Sequence, residues 1–415
     1  MMKFTGFEYL LIDAANNFGL DKLRFEDRIQ WARDNLDHLE DLLDQAETKP
    51  LYLKAVMAIR KAQAGQPTGH LVAMDATCSG VQIMSVLTGC IAGAKATGLV
   101  DPDRRADAYT DLNECMNGLL GGGFSVPRKH TKQALMTSCY GSKKVPKVLF
   151  GEGTQELAAF YEAVEIVAPG AWELLQDLLA SWQPFALSHA WKLPDGFDAK
   201  VKVMVKETTR IEVDELDHAT FTYEYYVNEG EKTGRANVAN VIHSIDAFIL
   251  RELLRRCNYD VSVASQAKTL IEAELLSRNM LDYECEPLGY DEDSVFAYYL
   301  EQYRRSGQPS AVILPYLDAT TVCSLTKPEL YQLSTILNGM LQYRPFPVIT
   351  IHDSFAAHTN NVNWVRHWYK EILAELADSE VLSDILSQIH GVAGTVPKRM
   401  QNLSEYIRKS NYALS

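Results

Sequence analysis

Residues 128–142 read RKHTKQALMTSCYGS, and their spacing decides how the rest of the chain is read. Arg128, Lys132, Met136 and Tyr140 stand four residues apart, with Gly141 next. Pro127 precedes them, where its missing N–H and fixed φ suit a first helical turn. In a helix each four-residue step overshoots a full turn by only about 40°. Arg128 and Lys132 therefore project side by side, with Tyr140 further along a slowly drifting stripe. Two neighbouring cations, a ring and a glycine suit a phosphate chain entering along the helix, with the ring near sugar and base. A lone R-x-x-x-K is usually a solvated basic face; the added Tyr140-Gly141 pair argues against that here.

The chain has 415 residues, 47% hydrophobic and 23% charged, enough for a substantial core and more than one subdomain. Its formal charge of −14 argues mildly against a nucleic-acid protein, although local patches outweigh the sum. Cysteines 78, 90, 115, 139, 257, 285 and 323 are odd in number and form no C-x-x-C pair. They read as reduced thiols of a soluble cytoplasmic protein rather than a disulfide frame or zinc site. No signal peptide, membrane-length apolar run, internal repeat or low-complexity segment is evident.

Along the chain, 25–46 reads as one helix with Ile29, Trp31, Leu36, Leu39 and Leu43 inward, and 51–63 as a second. HLVAMDATCSG (70–80) has the profile of a buried strand delivering Asp75 at its end, before a helix at 80–94. Asp101-Pro102-Asp103 reads as the start of a helix to 119, and Gly121–Gly123 as a hinge. Two helices fill 154–182, broken at Pro169-Gly170. Residues 199–228 alternate as a long β-hairpin. Helix returns at 234–256, carrying His243, Ser244, Asp246 and Arg251, and at 328–342. Between these, 257–330 is mixed and largely helical. VITIHDSF (348–355) reads as strand–turn–strand with Asp353 at the turn, and 362–415 as helical.

Asp75 and Asp353 each lie beside an apolar strand, where a bare carboxylate is costly unless neutralised. Each alone has a bland reading as a turn residue or N-cap. Brought together, such acids form a natural holder for Mg²⁺, and two such ions serve phosphoryl transfer.

Here the motifs carry a resemblance. MDATCSGVQ, RKHTKQALMTSCYGSK and VITIHDSF, in that order, resemble the three catalytic motifs of the single-subunit DNA-dependent RNA polymerases of phages and mitochondria. HSIDAFILR (243–251) resembles a further segment of that family, GLDK near Lys22 a phosphate-contacting site, and NLSEYIRKSNYALS the family's C-terminal foot. The resemblance implies an α+β, mostly helical right-hand fold of palm and fingers, lacking the N-terminal promoter domain. It divides the chain into 1–100 with the first palm motif, 101–256 as fingers, 257–330 as a divergent insertion, and 331–415 as palm and foot.

It further implies two Mg²⁺ ions on Asp75 and Asp353, assisted by the Ala76 carbonyl. Lys132 and Arg128 would hold the triphosphate, with Lys132 also a proton donor to pyrophosphate. Tyr140, braced by His243, would sense the ribose 2′-hydroxyl. Gly141 and Ser142 would admit the template backbone, His352 and Ser354 would flank the RNA 3′ end, and Lys22 would contact phosphate. The implied activity is ribonucleotide addition to an RNA 3′ end on a DNA template, in the cytoplasm of a host cell if the chain is viral.

Two alternatives remain. A DNA polymerase of the related right-hand fold shares Arg-x3-Lys-x7-Tyr-Gly, but would carry a glutamate-bearing segment after its first aspartate and His-Asp-Glu at the third motif. This chain has Thr77-Cys78-Ser79-Gly80 and His352-Asp353-Ser354. A catalytically silent nucleic-acid-binding subunit would usually have lost a metal ligand or the lysine.

Departures from the family carry expectations of their own. The chain begins after the family's promoter domain and an arginine-containing segment of the active-site wall. It resembles the larger subunit of the heterodimeric RNA polymerase II of N-four-like bacteriophages, which implies a second, smaller subunit. Residues 201–230 hold Lys202, Lys206 and Arg210 against seven acids, a net of −4, where relatives place a promoter-reading loop. Such a hairpin should approach phosphates poorly, implying opened template or a recruiting factor. Ile83 and Gln133 stand where relatives often carry histidine and arginine.

Overall fold

The acids are carried by a sheet of three strands, in a computed structural model that describes residues 1–122, 125–232, 234–280 and 287–415. Gly123 of the glycine run and Cys285 lie outside the described residues.

The N-terminal part comprises α1 (Gly6–Ala15), a wider turn at Asn16–Leu20, α2 (Phe25–Asp34), a 3₁₀ stretch at Leu36–Gln45 and α3 (Lys49–Gln63). A capping box of Thr5 and Glu8 starts α1, which packs against α2 and α3. The single helix expected at 25–46 is thus two pieces. His38 departs from helical geometry, and only Ile29 and Leu39 of the five expected core residues are fully buried.

Strand β1 (Leu71–Asp75) leads to α4 (Ser79–Thr88) and α5 (Ile91–Ala96). Gly89, at φ +66°, ends α4 in the left-handed conformation that glycine adopts without penalty, dividing the helix expected at 80–94. Next come α6 (Ala108–Leu120), α7 (Arg128–Ser138), α8 (Lys144–Phe150), α9 (Gln155–Val167) and α10 (Pro169–Ala180). The start of α6 lies later than Asp101-Pro102-Asp103 suggested, because Asp107 is the residue that caps it, accepting the Tyr109 N–H at 3.1 Å.

Two hairpins follow, rather than one at 199–228. β2 (Ser188–Lys192) pairs with β3 (Asp198–Lys202), and β4 (Met204–Val213) with β5 (Ala219–Gly230). Alternation alone cannot say which neighbour a strand chooses, and β3 turns back to β2. β4 and β5 pack chiefly on each other, and one face of this ribbon exposes Ile211, Phe221 and Tyr223.

The remaining helices are α11 (Ala236–Cys257), α12 (Val261–Asn279), α13 (Val295–Ser306), α14 (Lys327–Met340), α15 (Val362–Asp378), α16 (Val381–His390) and α17 (Leu403–Lys409). Residues of the 257–330 segment are built into the body: α12 lies on α14, and Arg278 donates to the Leu325 and Cys323 carbonyls at 2.7 and 2.9 Å. β6 (Ile349–Ile351) and β7 (Ser354–His358) form the expected strand–turn–strand, with sheet order β1-β7-β6, all antiparallel.

Strand burial corrects the sequence reading. β1 alternates, with Val72 and Met74 buried but Ala73 and Asp75 exposed, and β6 exposes Ile349 and Ile351. The sheet therefore has one packed and one open face. The chain's last five residues are not helical, with Leu414 bridged to Ala76 and the Ser415 N–H bonded to the Asp75 carbonyl at 3.0 Å.

Helix α11 joins the core to the cleft. Arg256, fully buried near its end, donates to Glu375 of α15 at 2.8 and 2.7 Å and to Glu252 at 2.8 Å. Glu252 in turn accepts from the Ser310 hydroxyl and the Ala311 N–H. A buried charge so fully hydrogen-bonded fixes the neighbouring elements relative to one another.

Candidate active site

The turn between β6 and β7 unites the two acids. Asp75 lies opposite Ser354 in the ladder, and the Ala76 N–H donates to the Asp353 carbonyl at 3.1 Å. His352 adopts φ +56°, unusual for a residue with a side chain, and swings the chain back so that Asp353 follows at the tip. Asp75 is exposed, so the argument from a costly buried carboxylate applies only to half-buried Asp353. Burial pushes the Asp353 carboxyl above its ordinary value and the Asp75 charge adds to this, while its own backbone N–H, His352 and the Ser79 hydroxyl oppose. Among the described residues neither acid has a cationic side chain within ion-pair distance. Two neighbouring carboxylates without a counter-charge are a donor set suited to a divalent cation.

Beside this turn lies a cleft of about 440 Å³, lined by Ser79, Gly80, Tyr140, His243, His352 and Asp353 among others. Tyr140 and His243 face each other with ring centroids 4.8 Å apart at 49°. Burial pushes the Tyr140 hydroxyl up, keeping it protonated as a hydrogen-bond donor. That hydroxyl sits over Gly80, where an added Cβ would lie 2.7 Å from it. Gly80→Ala is therefore expected to displace the ring tip at little cost in stability. The displacement should appear as a changed Tyr140 ring environment by NMR, with the melting temperature nearly unchanged.

Gly141 is buried at φ +83°, packed toward Arg235 and Leu179, so the need for glycine there is conformational. The N–H of half-buried Ser142 bonds to the Thr137 carbonyl at 3.1 Å.

The cationic helix α7 borders the same region, but its two cations differ. Arg128 is held: it pairs with Asp107 and donates to the Thr110 hydroxyl at 2.8 Å. Lys132 is exposed, has no carboxylate partner among the described residues, and lies 5.2 Å from the centre of the Tyr109 ring. Burial works to raise the Asp107 carboxyl, yet hydrogen bonds from Thr110 and Arg128 and the charges of Arg128 and Lys22 hold it below its ordinary value. Lys22 is thus near enough to act on this group, although its ammonium pairs with Asp21 at 2.6 Å.

Three participants escaped the sequence reading. Asp107 and Tyr109 were hidden because the helix start was assigned to Asp101-Pro102-Asp103. Asp246 was visible three residues after His243, a spacing that puts both on one helical face. It lines the cleft, and burial pushes its carboxyl up to about 6, with Asp353 adding and His352 opposing. A carboxyl raised in the folded state destabilises the fold as pH rises past its unfolded value near 3.8 toward about 6. Asp246→Asn should therefore raise the melting temperature at pH 8 in metal-free buffer, with the gain vanishing at pH 4.

Ile83 is fully buried within α4, and Gln133 is exposed on α7. Among the described residues, the cluster of three metal-ligand types is elsewhere, at the exposed β4–β5 tip: Glu212, Asp214 and His218. No helix among the described residues is long and apolar enough to cross a membrane.

With these groups in place, the chain can be set beside known proteins. Residues 2–150 match the DNA-dependent RNA polymerase family. The matched polymerase segment contains Asp75 and all of α7, and ends before His243 and Asp353. Over 167 residues, 33% of the chain and 12% of the relative, it is 29% identical to a mitochondrial DNA-directed RNA polymerase of Neurospora crassa. Over 172 residues, 33% of the chain and 21% of the relative, it is 28% identical to the DNA-directed RNA polymerase of Pseudomonas phage phiKMV. A chloroplastic/mitochondrial polymerase of Arabidopsis thaliana aligns over 246 residues, 50% of the chain, at 24% identity and 24% of its own length. The chain thus spans less than a quarter of the length of these relatives.

Proposed function

We propose that this chain is the catalytic part of a DNA-dependent RNA polymerase of the single-subunit phage and mitochondrial type, adding ribonucleotides to an RNA 3′ end. The observation that carries the reading is the meeting of Asp75 and Asp353 at one turn, beside a cleft walled by the Tyr140–His243 pair and bordered by α7. The names of the relatives support nucleotidyl transfer. In this reading the β1-β7-β6 sheet is a palm and α7 with its neighbours forms fingers.

The RNA 3′-hydroxyl attacks the α-phosphate of the incoming nucleotide. A new phosphorus–oxygen bond forms as the bond to pyrophosphate breaks, and the hydroxyl proton passes to solvent water. Lys132, free of any carboxylate, balances the triphosphate charge and donates a proton to the departing pyrophosphate; Arg128, anchored on Asp107, orients it. Tyr140, backed by His243, meets the ribose edge. Asp75 and Asp353, with the Ala76 carbonyl, would hold two Mg²⁺, which supply charge stabilisation to the attacking and leaving oxygens when bound. Gly141 and Ser142 face the template, and His352 and Ser354 the RNA end.

The acidic β4–β5 ribbon favours an opened or single-stranded template over duplex promoter. The chain's proposed partner is a second, smaller subunit, as in the two-chain enzyme of N-four-like phages. The deciding experiment is extension of an RNA primer on single-stranded DNA with Mg²⁺, by the chain alone and with co-purifying proteins. Extension that favours ribonucleotides supports the proposal; preferential use of deoxyribonucleotides would point to a DNA polymerase. A folded chain that binds primer–template and never extends it would be a silent subunit.

A further inference from the structure

At the end of β7 remote from Asp353 lies a second cavity, of about 360 Å³, whose lining includes Lys3, Gln342, Asn360, Trp364, His367 and Lys370. Trp364, His367 and Lys370 recur every three residues on α15 and so share one face. Lys370 is only 3% exposed, yet among the described residues its ammonium makes one hydrogen bond, to the Arg408 carbonyl at 2.6 Å, and no ion pair. Lys3, on the exposed rim, lies 5.6 Å from the centre of the Trp364 ring and likewise has no carboxylate partner among the described residues. The carboxylate that both Lys370 and His367 feel, Glu371, is committed to Arg408 at 3.0 Å.

A buried ammonium is costly to keep charged when the carboxylate acting on it is committed elsewhere, and with the exposed Lys3 ammonium on the same cavity it favours an anion. Burial holds Lys370 down to about 8, with Arg366 and Arg408 adding and Glu371 opposing. Burial also takes His367 down to about 4, Lys370, Arg256 and Lys3 adding to the effect while Glu371 opposes. The imidazole is thus neutral at pH 7, with one N–H to offer. Lys370 retains two unused N–H donors and Lys3 all three.

We infer that this pocket binds a phosphate group. Donors lining one cavity from α15 and from the N-terminal segment can surround an oxyanion, and lysines serve phosphate as point charges. Asn363 does not contribute, since its amide is used by Phe4 and Tyr9, which fixes the segment that carries Lys3. The phosphate is either free, as inorganic phosphate or pyrophosphate, or the terminal phosphate of a nucleic acid. The inference is independent of the polymerase reading.

The test follows the His367 imidazole by NMR in the intact chain, assigned by the signal lost in His367→Gln. Inorganic phosphate, pyrophosphate and a 5′-phosphorylated single-stranded DNA are titrated separately, with chloride at matched ionic strength as reference. An anion here should raise the His367 pKa saturably by about one unit or more. Exposed Lys3→Glu should weaken binding about tenfold, while Lys54→Glu in another surface groove should not. Equal responses to the three probes assign a free anion; a response to the oligonucleotide alone assigns a nucleic-acid end. No saturable shift with any probe, or a shift indifferent to Lys3→Glu, overturns the inference.

Discussion

Asp353→Asn should abolish ribonucleotide addition while leaving the protein at least as stable as the parent. The carboxylate is half-buried, raised by burial and by Asp75, and has no cationic partner among the described residues, so the metal-free fold gains nothing from its charge. Above the unfolded carboxylate range that charge destabilises, and the amide removes the cost at nearly constant shape. Catalysis responds in the opposite sense. Loss of a charged ligand for the divalent ions forfeits several kcal/mol of transition-state stabilisation, a fall of about a thousandfold or more. Melting curves make the contrast measurable without turnover. Mg²⁺ should stabilise the parent and not the variant, since a ligand that binds only the folded state raises its melting temperature. An active Asp353→Asn variant would remove the central pillar of the proposal.

Lys132→Met should come next in severity, with extension reduced about a hundredfold to a thousandfold, a loss of ~3–4 kcal/mol. The side chain is exposed and unpaired on α7, so its removal costs the fold almost nothing. Arg128→Met provides the contrast, because Arg128 ties α7 to α6 through Asp107 and Thr110. That variant should lose both stability and activity. Single-turnover extension with increasing nucleotide separates the two roles: Lys132→Met should lower the maximal rate, and Arg128→Met chiefly the apparent affinity. If Lys132→Met left the rate intact, the helix would revert to an ordinary basic face.

What the sequence makes legible here is mostly chemistry with a fixed spacing. The four-residue rhythm of α7, the Tyr140-Gly141 step and the His352-Asp353 turn are local, and local geometry follows from them directly. The partnership of Tyr140 with His243 spans a hundred residues and came from resemblance, since no periodicity could supply it. The break at His38 was missed because an amphipathic pattern continues across a kink, and the one at Gly89 because the run on both sides of it is apolar and buried nearly all round. The burial of β1 was overstated because an apolar strand in a one-faced sheet looks like one covered on both sides. Asp246 lay in plain view, but a carboxylate near a histidine is common; its proximity to Asp353 depends on how α11 is anchored through Arg256.

The β4–β5 ribbon has a consequence for handling the molecule. Its apolar row of Ile211, Phe221 and Tyr223 is exposed, the kind of surface on which two copies adhere. Asp214, Glu215 and Asp217 at its tip act as gatekeepers by mutual repulsion, a force that reaches about 30 Å in dilute buffer but only about 3 Å at molar salt. Light scattering should accordingly report particles that grow as salt is added, and Phe221→Ser with Tyr223→Ser should hold them monodisperse throughout.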